Sequence, residues 1–193
     1  GIVSGICYIT VITSWVAGAL IWKWVLSPEY GAINNILALF GIEGPSWLQS
    51  SKWAMPAIVL ASVWKDMGSL SLMLMSGLQG INQEYYDAAA IDGAGKIKQF
   101  TRITLPLLTP TLFFVLIISL INSFQLFTQI MIMTPDGGPL GSTMVMVERI
   151  YKCGFRYYEM GTAAAYSWIL FAILLLLTMV QMKLQNKWVN YDD

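Results

Sequence analysis

Amide and aromatic side chains lie inside a long apolar stretch of this chain, residues 107–133, which carries no charged residue. The five residues concerned are Asn122, Phe124, Gln125, Phe127 and Gln129. Since the three amides are three and four positions apart, they would share one face of a continuous helix. Amides and aromatic rings suit a ligand such as a sugar, which offers hydroxyl groups and apolar faces. The alternative interpretation is that the amides hydrogen-bond neighbouring helices to one another.

A second group with chemical potential is the pair Lys65 and Asp66, in the middle of the apolar stretch 53–78. A charge inside a bilayer is costly, so it must find a partner or face a polar cavity. Adjacent residues of a helix point in different directions, so a direct bond between the two is not implied. Asp66 therefore has two open interpretations, a structural ion pair or a contact to a transported solute.

The composition indicates a membrane protein. Apolar residues make up 56% of the chain and charged residues 11%, against about 25% charged in soluble domains. The net charge is zero, which gives no reason to expect nucleic acid as a partner. Histidine is absent and Cys7 and Cys153 are the only cysteines, so neither a metal site nor a nucleophile–base set is expected. We therefore expect a protein without catalytic residues.

Four stretches are long enough to cross a bilayer, which needs about 20 apolar residues per helix. They are residues 1–22, 53–78, 107–133 and 160–182. We predict an all-α, polytopic membrane bundle forming one domain over residues 1–193, with short interfacial helices in its connections; one is expected at 32–40. Lysine and arginine are divided five against five between the two sides, so charge does not orient the chain.

The connection at 79–106 is polar and longer than the usual 2–8 residues between helices. Asn82 can cap a short helix, with Glu84 and Asp87 in its first turns and alanines at 88–90. Gly93 suits the end of that helix, because glycine tolerates a left-handed turn. A helix with small residues on its face can enter a groove of another protein. These features predict a docking element.

The same connection resembles the EAA loop of ABC-transporter importer permeases. The match consists of Asp87, Ala88 and Ala89, three further residues, Gly93, nine more, and then Ile103, Leu105 and Pro106. The family has glutamate where this chain has Asp87. The wider sequence, including GLQGINQEYYDAAAIDGA and QFTRITLPLLTPTLFFVLI, is similar to the carbohydrate branch, which imports sugars and glycerol-3-phosphate.

That resemblance implies a docking surface for an ATPase, built from Glu84, Asp87, Ala88, Ala89, Asp92, Gly93, Ala94, Ile103, Leu105 and Pro106. It places this loop in the cytoplasm and the chain in the cell (inner) membrane of a bacterium or archaeon. Expected partners are ATP-binding cassette subunits, a second and different permease, an extracytoplasmic solute-binding protein and membrane lipid. The substrate path would run between the two permeases, with Asp66 and the five residues at 122–129 lining it.

ATP and magnesium are expected in the partner ATPase, and no cofactor is expected in this chain. Gly95 and Lys96 resemble the end of a phosphate-binding loop, but Ala90 and Ile97 break that pattern. The carbohydrate branch usually has two further spans upstream, and the chain begins at Gly1 without a signal-like start. We therefore expect a longer natural protein.

Three alternatives remain open at this stage. The chain could serve an importer of another solute class, such as amino acids. A secondary transporter would show an inverted repeat and a helix broken at mid-membrane. A membrane enzyme would need reactive groups that the sequence does not offer.

Overall fold

The computed structural model describes residues 9–188, and the side chains of residues 9–185. Every regular element in this range is helical, which confirms the all-α prediction for the described part of the chain. After a helical turn at 9–12, the helices are α1 (Trp15–Val25), α2 (Ala32–Leu39), α3 (Ala54–Gln79), α4 (Gln83–Ile91), α5 (Lys96–Gln99), α6 (Leu105–Leu107), α7 (Thr109–Phe124), α8 (Thr128–Met133), α9 (Met146–Tyr151) and α10 (Met160–Trp188). Two π-helical turns, Phe100–Thr104 and Lys152–Arg156, widen the chain between α5 and α6 and after α9.

Three stretches within residues 9–188 are long and apolar enough to cross a membrane: Ala54–Gln79, Thr109–Met133 and Met160–Gln185. They match three of the four predicted spans. The first predicted span is not established, because residues 1–8 lie outside the described residues and the rest is interrupted. Ser14 has an extended backbone, and its side chain accepts a hydrogen bond of 3.2 Å from the N–H of Ala17. Helix α1, with 11 residues, is about 16 Å long.

Small side chains bring the helices of the bundle close together. Ala57 and Ala61 of α3 are buried against Ala19 of α1, in a core completed by Leu26 and Met133. Alanine and glycine at helix interfaces allow the close approach on which membrane helices depend. Helix α1 packs against α8, while α7 packs against both α3 and α10.

The connection between α1 and α3 is fastened by Asn34 of α2. Its amide donates to the carbonyls of Pro28 (3.2 Å) and Pro45 (3.4 Å) and accepts from Trp47 Nε1 at 2.7 Å. The predicted short helix at 32–40 is therefore present, and it exposes Leu39 and Phe40. An apolar edge of this kind suits a position at the membrane surface.

Candidate functional site

Helix α4, the core of the predicted docking element, begins at Asn82. The Asn82 side chain accepts a hydrogen bond of 3.1 Å from the N–H of Glu84, one of the groups that a helix start leaves unpaired. Gln83 donates to the Asp87 carboxylate one turn later, at 3.3 Å. The predicted cap is confirmed, and it holds Glu84 near the positive end of the helix.

Gly93 forms the turn after α4. Its φ of +71° lies in the left-handed region, and the N–H of Ala94 donates to the carbonyl of Ala89 at 2.9 Å. A Cβ at this position would meet no atom within 4 Å. The requirement for glycine is therefore conformational, as expected for a residue that follows a helix C-terminus.

Two side-chain hydrogen bonds fasten α4 to the segment that leads into α7. The Tyr86 hydroxyl lies 2.8 Å from Thr104 Oγ1, and Gln99 Nε2 donates to the carbonyl of Ala94 at 3.1 Å. Thr104 is buried and ends the π-helical turn Phe100–Thr104. Sequence reasoning did not identify these contacts, because a pairing across 18 positions leaves no local pattern. A displacement of α4 would be transmitted to the base of α7.

The predicted docking residues divide into two groups. Those of α4 and its turn are exposed, except for Ala89 and Ala94, which are half-buried: Glu84, Asp87, Ala88, Ala89, Asp92, Gly93 and Ala94. Of the other three, Ile103 lies within the π-helical turn and is half-buried, whereas Leu105 (exposed) and Pro106 (half-buried) follow it in α6. The second group therefore belongs to the junction with α7.

Exposed apolar side chains surround the Gly93 turn and were missing from the predicted docking set. Ile91 is 88% exposed and Ile97 82% exposed, with Tyr85 and Phe100 about half exposed beside them. Exposed isoleucines within a polar connection are a sequence pattern that could have identified them. The acids of α4 and the exposed basic residues at 96, 98 and 102 accompany these apolar side chains, and exposed apolar groups among charged ones are typical of a docking site for another protein.

The third span contains a break that the sequence did not predict. Helix α7 ends at Phe124 and α8 begins at Thr128; Gln125 and Phe127 between them leave helical geometry. The N–H groups of Leu126 and Phe127 form no hydrogen bond within residues 9–188. Non-helical backbone at membrane depth occurs where it is buried in protein or lines a water-filled cavity. The break therefore indicates such a place.

The expectation that Asn122, Gln125 and Gln129 share one continuous helix face is wrong, because the break separates them. Asn122 and Gln125 are exposed near the end of α7, whereas Gln129 is 4% exposed in α8. The two aromatic residues also differ. Phe124 is exposed, while the Phe127 ring packs 5.1 Å from that of Tyr151. Asn122, Phe124 and Gln125 are therefore exposed. Phe127 is half-buried and Gln129 is buried.

A groove of about 580 Å³ lies between α3 and α7, next to the break. We call it the α3–α7 groove. Its polar lining consists of Asp66, Ser62, Ser71, Ser119 and Ser123, and its apolar lining includes Leu126 in the break. Asp66 is the one predicted pathway residue on this wall. The serines were not predicted as site residues, although Ser119 and Ser123 are one helical turn apart on α7.

Lys65 and Asp66 have different surroundings. The buried Lys65 ammonium donates to the carbonyl of Thr10 and, at 3.3 Å, to that of Val11. These carbonyls precede the interruption at Ser14, so Lys65 takes the place of backbone donors that a continuous helix would supply. Asp66 forms no ion pair and no hydrogen bond within the described residues. Neither interpretation of Asp66, the structural ion pair or the contact to a transported solute, is decided by these contacts, and both stay predictions.

At the opposite end of the bundle from α4, charged groups organise the connection at 134–159. Glu148 is fully buried, 3.3 Å from Lys152, and Asp136 pairs with both Lys152 and Arg156. A hydrogen bond to Tyr166 raises the pKa of Arg149 above its ordinary value. The loop that these pairs hold has left-handed backbone at Asp136 and Leu140, and Leu140 is 97% exposed.

Comparison with known proteins identifies relatives over almost the whole chain. The sulfoquinovosyl glycerol transport system permease protein SmoG of Agrobacterium fabrum is 38% identical over 165 residues, which cover 86% of this chain and 53% of that protein. The sn-glycerol-3-phosphate transport system permease protein UgpA of Shigella flexneri is 35% identical over 174 residues, covering 90% and 59%. The chain therefore spans between half and three fifths of the length of these two relatives.

A solved structure has the same fold. In a bacterial ABC transporter that imports the acidic polysaccharide alginate, one chain superposes with a TM-score of 0.84 and 26% sequence identity, covering 96% of this chain and 65% of that one. The family model for the binding-protein-dependent transport system inner membrane component matches residues 1–191. This match extends over nearly all of the sequence, so the chain belongs to that family.

Proposed function

We propose that the chain is the transmembrane permease subunit of an ATP-binding-cassette importer that passes a sugar or related polyol derivative. It carries no catalytic residues of its own. Its role is to couple the ATPase subunit, which binds ATP and magnesium, to movement of the solute across the membrane. The family match supports the transport class, and the surface of α4 supports the coupling.

The observation that carries the proposal is the accessible end of α4 beside the Gly93 turn. Exposed isoleucines at 91 and 97 flank this turn, Asp87 is exposed on α4, and two hydrogen bonds join this region to the segment that leads into α7. A partner that binds this surface could move α7 through the hydrogen bond between Tyr86 and Thr104. Movement of α7 would in turn open or close the α3–α7 groove, because Ser119 and Ser123 form one of its walls.

The proposed passage combines the break at 125–127 with the α3–α7 groove. Asn122, Phe124 and Gln125 would meet the solute at the end of α7, and Asp66 with the serines would meet it along the groove. Gln129 and Phe127, which are turned inward, would support the break. The solute class is inferred from relatives whose names specify glycerol-3-phosphate, sulfoquinovosyl glycerol and alginate transport.

The remaining partners follow from the family. A solute-binding protein would deliver the solute; in one solved alginate transporter a periplasmic protein with bound alginate pentasaccharide is part of the complex. A second, different permease would complete the passage. We place the chain as a multi-pass protein in the cytoplasmic membrane of a bacterium or archaeon, with α4 in the cytoplasm and lipid around the spans.

A cross-linking experiment tests this proposal. A single cysteine is placed at Ala89 in a background that lacks Cys7 and Cys153, and membranes with the complete transporter are treated with a bifunctional thiol reagent. The expected product joins the permease to the ATPase, and its yield changes with nucleotide. A cysteine at Leu140, at the other end of the bundle, serves as the matched control and should capture no ATPase. Capture of the ATPase from Leu140 but not from Ala89 would reverse the orientation and refute the proposal.

A secondary transporter is the second candidate, because the helix break at 125–127 is a feature of that class. The family match and the docking surface of α4 weigh against it. An ABC importer of amino acids would share both features with the proposed function; it differs only in the solute, and the relatives' names favour carbohydrate.

A further inference from the structure

The α3–α7 groove contains one charged side chain, Asp66, on its wall. The other polar groups there are the serine hydroxyls at 62, 71, 119 and 123, and the remaining lining is apolar. Asp66 is half-buried at the middle of α3. An ionisable residue at that depth faces either a bundle interior or a water-filled cavity. The groove supplies the cavity.

The ammonium group of the neighbouring Lys65 forms no salt bridge with the Asp66 carboxylate, so this carboxylate faces the groove. Lys65 is close enough to attract Asp66 electrostatically, but its ammonium is committed to the carbonyls of Thr10 and Val11. Lys65 is buried towards the interrupted first segment, whereas Asp66 lines the wall shared with α7. The Asp66 carboxyl group therefore lines the groove without a salt-bridge partner among the described residues.

A second observation points to a ligand in the same place. Ser62, one turn before Asp66, is 8% exposed, and its hydroxyl oxygen has no hydrogen-bond partner within the described residues. A buried hydroxyl without a partner is costly. Since Ser62 lines the groove, a hydroxyl-bearing molecule or water inside it would supply the missing bond.

We propose that Asp66 makes this passage selective by charge, so that it accepts neutral, hydroxyl-rich solutes and disfavours anions such as sugar phosphates and uronates. The inference rests on the proposed function. A carboxylate accepts hydrogen bonds from hydroxyl groups, as do the serine oxygens beside it. An anion would meet Asp66 in surroundings of low dielectric, where repulsion between like charges is strong.

The solutes named for the relatives differ in charge from the solute that this inference predicts. All three relatives described above are named for anionic solutes: sulfoquinovosyl glycerol, which carries a sulfonate, sn-glycerol-3-phosphate, and the acidic polysaccharide alginate. If Asp66 sets the potential as proposed, this chain differs from those transporters in the charge of the solute while it keeps their fold.

Thiol-reagent kinetics test the potential directly and need no knowledge of the solute. Ser123→Cys is introduced in the complete transporter, in a background without Cys7 and Cys153. Its rates of reaction with the cationic trimethylammonium-ethyl and the anionic sulfonato-ethyl methanethiosulfonates are divided by those of a free thiol. We expect the cation to react at least about tenfold faster than the anion after this correction. In the double variant with Asp66→Asn the ratio should fall towards one.

Two controls accompany the measurement. Ser119→Cys reports from the same wall, in case Ser123→Cys disturbs the hydrogen bond of Ser123 to the carbonyl of Ser119. Leu140→Cys lies in the loop at the other end of the bundle, and its ratio should not respond to Asp66→Asn.

The outcomes separate the two levels of the proposal. Reactive groove cysteines whose ratio is near one, and unchanged by Asp66→Asn, would overturn charge selection while the passage stands. Groove cysteines that react with neither reagent in an assembled transporter would show that the groove is closed to water. That result would overturn the passage itself and the charge selection with it.

Discussion

The α4 segment and the break at 125–127 are two regions of this molecule that are built in opposite ways. In α4 and its turn, local residues determine the conformation: Asn82 caps the start and Gly93 provides the left-handed turn. At 125–127 the sequence Gln-Leu-Phe contains neither proline nor glycine, yet the helix stops. The conformation there is imposed by neighbouring elements. A docking surface can thus be specified locally, whereas the passage depends on the assembled bundle.

Gly93→Val tests most directly whether a local residue determines the conformation of the turn after α4. A β-branched residue in the left-handed region costs about 1–2 kcal/mol, so the turn should rearrange and displace Ile91 and Ile97. We expect solute uptake to fall by about five- to thirtyfold, while binding of solute by the solute-binding protein is unchanged. Gly93→Asn is the matched control, because asparagine tolerates this backbone, and it should keep most of the uptake. Full uptake in the valine variant would contradict the assignment.

Asp87→Lys changes the charge of the docking surface without changing its backbone. Reversal of one contact charge at an interface typically weakens association and slows encounter, so uptake should fall severalfold and ATP hydrolysis should become less dependent on solute. Asp87→Glu, which restores the residue usual in the family, should be close to normal. ATPase assays with and without the loaded solute-binding protein measure this effect. Unchanged coupling in the lysine variant would place Asp87 outside the interface.

Lys65→Met tests whether a contact between helices stabilises the interrupted backbone before Ser14. The substitution keeps the length of the side chain but removes the hydrogen bonds that the ammonium donates to the carbonyls of Thr10 and Val11. We expect a loss of about 1–3 kcal/mol in stability, seen as a lower thermal midpoint of the purified transporter. Lys98→Met, at an exposed position of α5, should change nothing. Equal midpoints for the two variants would show that Lys65 does not support the interrupted segment.

Gln125→Ala should have the smallest effect, on the passage alone. If the amide meets the solute through one hydrogen bond, its loss costs about 1 kcal/mol, or roughly fivefold in apparent affinity during uptake. Basal ATP hydrolysis should be unaffected. Gln129→Ala provides the contrast: that residue is buried in α8, so its loss should lower the yield of folded protein. An unchanged affinity with Gln125→Ala would favour the interpretation that these amides bond helices together.

The sequence was sufficient for the elements whose causes are local. Apolar length located three spans to within a few residues, and Asn82 and Gly93 bounded α4 as predicted. The predicted docking set followed a motif, and exposed residues such as Ile91 lie outside that motif. Nothing at 125–127 predicts a break.

Contacts between residues far apart in the sequence explain why the surroundings of Lys65 and Asp66 were not predicted. Charge cost predicted that Lys65 needs a partner, but a partner 55 positions away cannot be recognised by spacing. The same limitation applied to Asp66, whose surroundings depend on the approach of α7. Gly77 illustrates that approach, since a Cβ there would lie 2.5 Å from the Thr111 hydroxyl oxygen.

The bond from Lys65 to the carbonyls of Thr10 and Val11 also bears on how the protein is made. During insertion into the membrane the segment at 9–14 arrives before α3 has been synthesised, so the donor that Lys65 supplies is not yet present. Lys65 adds its hydrogen bonds to those carbonyls only once α3 has entered the membrane. We therefore expect the segment at 9–14 to be more sensitive to proteases in a translation intermediate that stops before α3 than in one that includes it.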